Sequence, residues 1–435
     1  MQAIGVYGAR SLRLLPDRSR LVMVGLFFCT LDYRFNIPGL PGLAVAEIFM
    51  LIALAVLYAD AVILPREVVQ KLTAAVKENP WVFVYFGWAF VTVLIGFTRS
   101  ADNLFAFRNL LPSLVIYFLA VTYLVDGKKV RLALASVVMG ACVNMALGAV
   151  QKVLGKPYPN ALHEGAFIKM DLAGNFVTNT PSGFFVHPNG LAVFLLPIVL
   201  ILVAGVYRGL FAGGWARTVS FLLLAASGAM LWLTFTKGAI LWVLVGIGLL
   251  ALPRRLQGSV FGIGVLAIVV VIAAAVIAGM QSHGVEFRTI NSMMTRMQIW
   301  DSAFAAMVHD KYILAFGNGF REIYFQSLRF SELPYLNAHN NLLNQIVFFG
   351  IPALLIHLTI VLKVMMRLGS AVRQSTDEPA KTLQLLMLAC LAALFGEHFF
   401  EPTLDSVALQ VQYHVFLALG MVVSRKGFIA QAQAE

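Results

Sequence analysis

The sequence predicts an all-α polytopic integral membrane protein with about twelve transmembrane helices and a large, partly helical external loop. Three observations carry that prediction. The 435 residues are 60% hydrophobic and only 12% charged, whereas soluble domains run to roughly 45–50% apolar and about 25% charged. The apolar residues fall in runs that approach the roughly 20 helical residues a bilayer core demands. The Lys and Arg residues are shared unequally between alternate connections, as orientation in a membrane requires.

In chain order the apolar runs begin near Leu21, Leu43, Trp81, Leu110, Leu132, Gly190, Thr218, Gly238, Val260, Leu342, Leu383 and Ser406. The first is short and meets Asp32 and Arg34 at its far end. It follows Arg10, Arg13, Arg18 and Arg20 and reads as a retained anchor rather than a cleaved signal. The seventh and eighth are separated only by Thr236-Lys237, a tight hairpin tip. The whole chain, 1–435, then forms a single transmembrane domain with both termini cytoplasmic. In that orientation the cytoplasmic segments carry 20 of the 32 Lys and Arg residues and the short external connections carry 6. The net charge of +11 is thus accounted for by loop asymmetry, and nucleic-acid binding is excluded as its explanation. Cys29, Cys142 and Cys390 each lie in an apolar run with no CxxC spacing, which makes them packing residues.

Two polar segments are too long for turns, 155–183 and 281–341. Both follow an odd-numbered run and so lie on the external side. Connections of that length are commonly functional. In the second, Met293, Met297, Trp300, Phe304 and Met307 recur at helical spacing and predict an amphipathic helix, followed by breaks at Gly317, Gly319 and Pro334.

The chemistry available is narrow. There is no GxxxxGK[ST] loop, and Gly317-Asn318-Gly319 lacks the strand–turn–helix setting of a dinucleotide site. No His/Cys/carboxylate set has zinc spacing, and no DxD pair would hold Mg²⁺. An enzyme built this way is expected to work without cofactor, ATP or metal. The external side does carry cations: Arg288, Arg296, Arg321 and Arg329 in the large loop, Lys156 and Lys169 in the smaller one, Arg99 and Arg108 in another, and Lys237 at the hairpin tip. Arg forks and Lys point charges both suit phosphate oxygens, although any one of them can equally be a solvated loop charge. Lys237, on a two-residue hairpin between two spans, has little room to move away from the membrane.

The stretch YLNAHNNLLNQIVFFG, 335–350, places His339 and the amides Asn340, Asn341, Asn344 and Gln345 at the head of an apolar run. A histidine with an ordinary pKa of about 6.5 can take a proton from a hydroxyl at neutral pH, and the amides can orient it or a sugar. Capping of a helix by the same residues is the equal alternative. Helical spacing would put His339 and Gly350 on one face, three turns apart, with the glycine admitting a second helix below the histidine. The group Glu397, His398, Glu401 and Asp405 near the external end of the eleventh run reads as a polar loop, as does His187. Glu47 is expected to pair with a neighbouring helix.

The combination His339-Asn340, nine residues, Gly350 resembles the histidine element of the O-antigen ligases, which share a superfamily with O-antigen polymerases and bacterial protein O-oligosaccharyltransferases. Around it, RMQIWDSAFAAM (296–307) is similar to the family's R-x3-W-x2-A segment, and FGNGF (316–320) to its F-G-x-G element. GFFVHPNGLAVFLLP (183–197) looks like its P-N helix start, and LTFTKGAIL (233–241) like its S-R-G hairpin, with Lys237 where arginine is commoner. The resemblance covers roughly the last 260 residues by motif and the whole chain by topology.

It implies a multi-pass protein of the bacterial inner membrane whose loops at 281–341 and 155–183 are periplasmic. It further implies transfer of a polysaccharide from undecaprenyl pyrophosphate to a sugar hydroxyl of lipid A–core. The partners implied are the lipid-linked O-antigen, lipid A–core and the bilayer. The roles implied are a catalytic His339, pyrophosphate-binding Arg296, Arg288 and Lys237, and Asn340 and Asn341 orienting base or acceptor. A polymerase or a protein O-oligosaccharyltransferase would use the same donor. A secondary transporter is the alternative from a different class and would place its essential charges near mid-membrane.

Overall fold

The computed structural model describes residues 17–35, 43–95, 107–155, 169–170, 176–177, 180–185, 187–211, 213–252, 299–301, 303–304, 307–308, 311–317, 339–401, 406–425 and 428. The apolar run expected from Val260, the cations Arg99, Lys156, Arg288, Arg296, Arg321 and Arg329, and Asp405 lie outside the described residues, and of Lys169 only the backbone is described.

Thirteen helices are described. They are α1 (Ser19–Cys29), α2 (Val45–Ile63), α3 (Pro65–Glu78), α4 (Pro80–Ile95), α5 (Leu111–Tyr123), α6 (Gly127–Leu154), α7 (Pro188–Arg208), α8 (Gly214–Leu233), α9 (Lys237–Ala251), α10 (Lys311–Phe316), α11 (Asn341–Gln374), α12 (Glu378–Glu397) and α13 (Val407–Val423). Two small antiparallel ribbons accompany them, β1 (Arg34–Phe35) with β2 (Leu43–Ala44), and β3 (Lys169–Met170) with β4 (Phe176–Val177).

Eleven of the apolar runs read from the sequence coincide with a helix, and the protein is a polytopic all-α membrane protein. Among the described residues, six helices are long and apolar enough to cross a bilayer: α2, α6, α7, α8, α11 and α12. A seventh span is possible if α3 and α4 are one broken unit, but they meet at a 92° bend. α1, α5, α9 and α13 are apolar but shorter.

The bend has a local cause. Pro65 opens α3 at a position where a missing N–H costs nothing, and Pro80 opens α4 after Asn79. Of α3 only Ala75 is buried, and its charged residues alternate with Val69 and Leu72, which are exposed. That pattern suits a helix lying along a membrane surface. The sequence reading places no helix between the runs that begin near Leu43 and Trp81.

α7, α12 and α13 are largely apolar, are buried on nearly every side and form the centre, as helices without a polar face do. α7 packs on α8, α9 and α12; α13 packs on α5, α11 and α12; α11 also contacts α4 and α10. The outer helices leave large apolar side chains uncovered, among them Leu51, Phe221, Leu244 and Leu355, which is the surface a lipid tail meets. Cys29 and Cys390 are buried and all three thiols are free. Glu47 pairs with Arg108 at 2.6 Å and also accepts the Ala44 N–H, so Arg108 is committed to holding α2 against the start of α5. Asp32, just past α1, accepts the hydroxyl of Ser406, which in turn caps α13.

In the large loop, residues 299–308 are helical where described, but the buried face is Ile299, Ala303 and Met307. Phe304, expected on that face, is exposed with Val308. The i, i+4, i+8 row excludes a residue one position on, which lies about 100° further round.

Candidate functional site

The candidate site forms where α7, α9, α11 and the C-terminus of α12 meet. Its first element is the head of α7. His187 caps the helix through Nδ1, which accepts the Asn189 N–H at 3.1 Å, and Pro188 takes the first helical position. The preceding loop is fixed by two buried amides of α6. Gln151 Nε2 donates to Gly183 O at 2.8 Å, and its Oε1 accepts the N–H groups of Ser182 and Gly183, each at 2.9 Å. Asn144 Nδ2 donates to Thr30 O at 3.0 Å while its Oδ1 accepts the Phe184 N–H at 3.2 Å. Buried amides are tolerated only when bonded, so these two specify one position for the loop and hence for Asn189.

From Asn189 a chain of polar contacts crosses to the histidine. Thr236 Oγ1, on the α8–α9 hairpin, donates to Asn189 Oδ1 at 3.0 Å. Asn189 Nδ2 donates to Glu401 Oε1 at 2.6 Å. Glu401 Oε2 lies 4.0 Å from His339 Nδ1. Glu401 is nearly buried, whereas His339 keeps 34% of its side chain exposed. A carboxylate facing the Nδ1 edge of an imidazole favours one orientation of the ring.

His339 does not lie in the helix it precedes. Asn340 is the cap of α11, its Oδ1 accepting the Leu343 N–H at 3.0 Å, and Asn341 N–H donates to His398 O at 2.7 Å. His339 itself has φ 47°. The helical alignment expected between His339 and Gly350 is therefore not formed. Strain marks the same place twice: Phe235 (φ 52°) and His339 are the two non-glycine residues with positive φ among the described residues. One is in the hairpin and the other is the histidine. Such backbone costs of order 1–3 kcal/mol each and gathers at functional positions.

Gly350 breaks α11 instead of serving as a contact point on a continuous helix. Its φ is 82° and ψ 172°, a region open essentially to glycine alone. Pro352, two residues on, lacks an N–H and crowds the carbonyl of the preceding turn. Into the break fits the end of α10: a Cβ on Gly350 would come within 2.5 Å of Ala315 O, and one on Gly317 within 2.3 Å of the Phe348 carbonyl. Trp88 seals it, donating to Phe349 O at 2.8 Å and stacking on Phe316. Two of the sequence motifs, Phe316-Gly317 and Gly350, are thus one packing unit below the histidine.

The three described members of the acidic and histidine group, Glu397, His398 and Glu401, point in three directions. Glu401 turns to His339. Glu397 is fully buried, its carboxylate against the first turn of α9, where a Cβ on Gly238 would lie 3.0 Å from either oxygen. A helix N-terminus is a favourable place for negative charge. His398 faces inward, its ring 4.6 Å from Tyr413, whose hydroxyl lies 3.2 Å from His357 Nε2. Lys237, exposed, opens α9 beside this group. Arg288 and Arg296 lie outside the described residues. The participants that the sequence reading set aside as loop or helix start are Glu401, Asn189 and Thr236.

Fold and site together define a multi-pass membrane protein with a polar cluster gathered at one end of its central helices. Residues 219–358 match the family model described as O-Antigen ligase. That stretch holds most of α8, the hairpin, α9, the large loop, His339 and the Gly350 break, and the match supports the resemblance to the O-antigen ligase superfamily, whose members are membrane glycosyltransferase-like enzymes working on lipid-linked polysaccharide. No curated protein matches the chain.

Proposed function

We propose that the protein is an O-antigen ligase of the bacterial inner membrane, transferring a polysaccharide from undecaprenyl pyrophosphate to a sugar hydroxyl of lipid A–core on the periplasmic face. The observation that carries this reading is the convergence of His339, Glu401, Asn189 and the Thr236-Lys237 hairpin, residues remote in sequence, at a strained and partly open point of the fold. His339 takes the proton of the acceptor hydroxyl as the hydroxyl oxygen bonds to the anomeric carbon. The bond from that carbon to the pyrophosphate oxygen breaks, and undecaprenyl pyrophosphate leaves with the electron pair. A single displacement inverts the anomeric centre. Glu401 holds the imidazole and stabilises the imidazolium, and Asn189 and Thr236 hold Glu401. Lys237, with Arg296 and Arg288 from the large loop, offsets the charge growing on the leaving group, the kind of electrostatic contribution that is often largest. Asn340 and Asn341 set the start of α11 and with it the direction of the base. The donor is already activated, so the scheme needs neither ATP nor a metal.

The test is an in vitro ligation with purified protein, undecaprenyl-pyrophosphate-linked polysaccharide, lipid A–core and EDTA. Wild type yields a lipopolysaccharide ladder and His339→Ala does not, a loss of roughly 10²–10⁴-fold. Longer lipid-linked polymer from donor alone, with no ladder, moves the assignment to a polymerase. An equally active His339→Ala overturns the base.

A further inference from the structure

A cavity of about 930 Å³ lies far from His339, within the size range of small-molecule sites. Its position follows from three helices that reach both places. α7 runs from Asn189 at the site to Arg208 at the cavity, α9 from Lys237 to Ala251, and α12 from Glu378 at the cavity to Glu397 at the site. The cavity therefore opens at the opposite membrane face. Its floor is buried and apolar, with Val203, Leu210 and Leu250, while its mouth includes the exposed Tyr207, Ala251 and Glu378. Arg131 from α6 and Arg208 from the end of α7 both line it. Arg208 is held in place by donating to Leu250 O at 2.6 Å.

Among the described residues the lining carries two guanidinium groups against one carboxylate, a positive excess that suits an anionic ligand. The apolar floor asks for a hydrocarbon chain, and the exposed tyrosine at the mouth is the residue type that sits at a membrane interface. A phosphodiester joined to acyl chains has these properties. Basic pockets between transmembrane helices are general sites for such headgroups, and guanidinium forks match phosphate oxygens. We propose that this cavity binds one anionic phospholipid of the leaflet opposite the candidate site. Arg131 and Arg208 hold the phosphodiester, an acyl chain lies along Val203, Leu210 and Leu250, and Glu378 faces the headgroup hydroxyls. The proposal stands whichever reaction the site performs.

The test uses the full chain in detergent micelles, read by native mass spectrometry after adding dioleoyl phosphatidylglycerol, dioleoyl phosphatidylethanolamine or glycerol 1-phosphate. One phosphatidylglycerol per chain is expected to survive activation, with phosphatidylethanolamine held less and glycerol 1-phosphate not at all. Arg131→Gln with Arg208→Gln reduces retention roughly tenfold or more, as loss of charge-assisted bonds predicts. Ala251→Trp, which obstructs the mouth and leaves both arginines in place, also removes the lipid and decides the matter should the double variant fail to fold. Equal retention of the two lipids, retention by Ala251→Trp or by a folded double variant, or displacement by glycerol 1-phosphate overturns the proposal.

Discussion

Ion pairs fasten both ends of the bundle, Glu47 to Arg108 at the candidate-site end among them, but the candidate-site end also carries a chain of polar contacts leading to an accessible group. At the end opposite the candidate site, ion pairs fasten one element to another: Arg18 to Asp60 at 2.7 Å, Lys129 to Asp17 at 3.1 Å and Arg425 to Glu78 at 2.9 Å. Each joins helices or their flanks across the bundle, and most of these groups are partly exposed. At the other end, Thr236, Asn189, Glu401 and His339 form a directed chain that ends on a half-exposed ring with left-handed backbone. Closed pairs hold a fold. A chain that ends at an accessible, strained group stores an orientation, and what it orients is the histidine. Removing parts of that chain should therefore cost activity without stability, and removing the ion pairs of the opposite end the reverse.

The largest separation of the two quantities is expected at His339. Replacement by glycine relieves a backbone that costs a non-glycine residue of order 1–3 kcal/mol. His339→Gly should be inactive in ligation yet melt no lower than wild type. A clear drop in its melting temperature would mean that the side chain is a packing element and would erase the contrast between the ends.

Next comes the carboxylate. Hydrogen bonds to charged groups contribute roughly 1.5–3 kcal/mol, so Glu401→Gln and Asn189→Ala should each lower kcat by roughly 10–100-fold. Because the two residues act on His339 through one another, the double variant should lose much less than the product of the single losses. Fully multiplicative losses would show that Asn189 and Glu401 serve separate purposes.

Gly350 tests the support beneath the site. Gly350→Ala places a Cβ within 2.5 Å of Ala315 O and adds backbone strain of about 1–3 kcal/mol. Its melting temperature should fall and its activity with it, since His339 directly precedes the cap of α11. A stable, active Gly350→Ala would mean that the break is not needed.

Much of this was legible in the sequence, for reasons that differ by element. The helices were readable because a bilayer imposes one length and one composition on each span. The pairing of Glu47 was readable because an acid in an apolar run needs a partner, and the free cysteines because they lacked a spacing. The role of Glu401 was not: its link to Asn189 spans 212 residues, and no periodicity reports contacts at that distance. The break at Gly350 was signalled by Pro352, but treating 339–350 as continuous helix hid it. α3 was missed because a helix lying along a surface is too polar for a hydropathy window. Eleven apolar runs could be matched to helices, yet among the described residues six helices are long enough to span alone, because helices supported by neighbours such as α9 and α13 can be shorter than an isolated span.

The smallest expected effect belongs to the end opposite the candidate site. Burial raises the Asp17 carboxyl's pKa, but the Ser19 N–H and the Lys129 ammonium outweigh it, and the group titrates below its ordinary value. A carboxyl lowered on folding contributes stability above its unfolded pKa and loses it as pH falls through the folded one. Asp17 is 56% exposed, and exposed pairs are worth roughly 0.2–1 kcal/mol and are screened by salt. Asp17→Asn should therefore melt slightly lower than wild type at neutral pH and low salt. The gap should close as pH drops below the usual carboxylate range or as salt rises, with ligation rate unchanged throughout. A rate that follows Asp17 would show that the two ends are coupled through the helices they share.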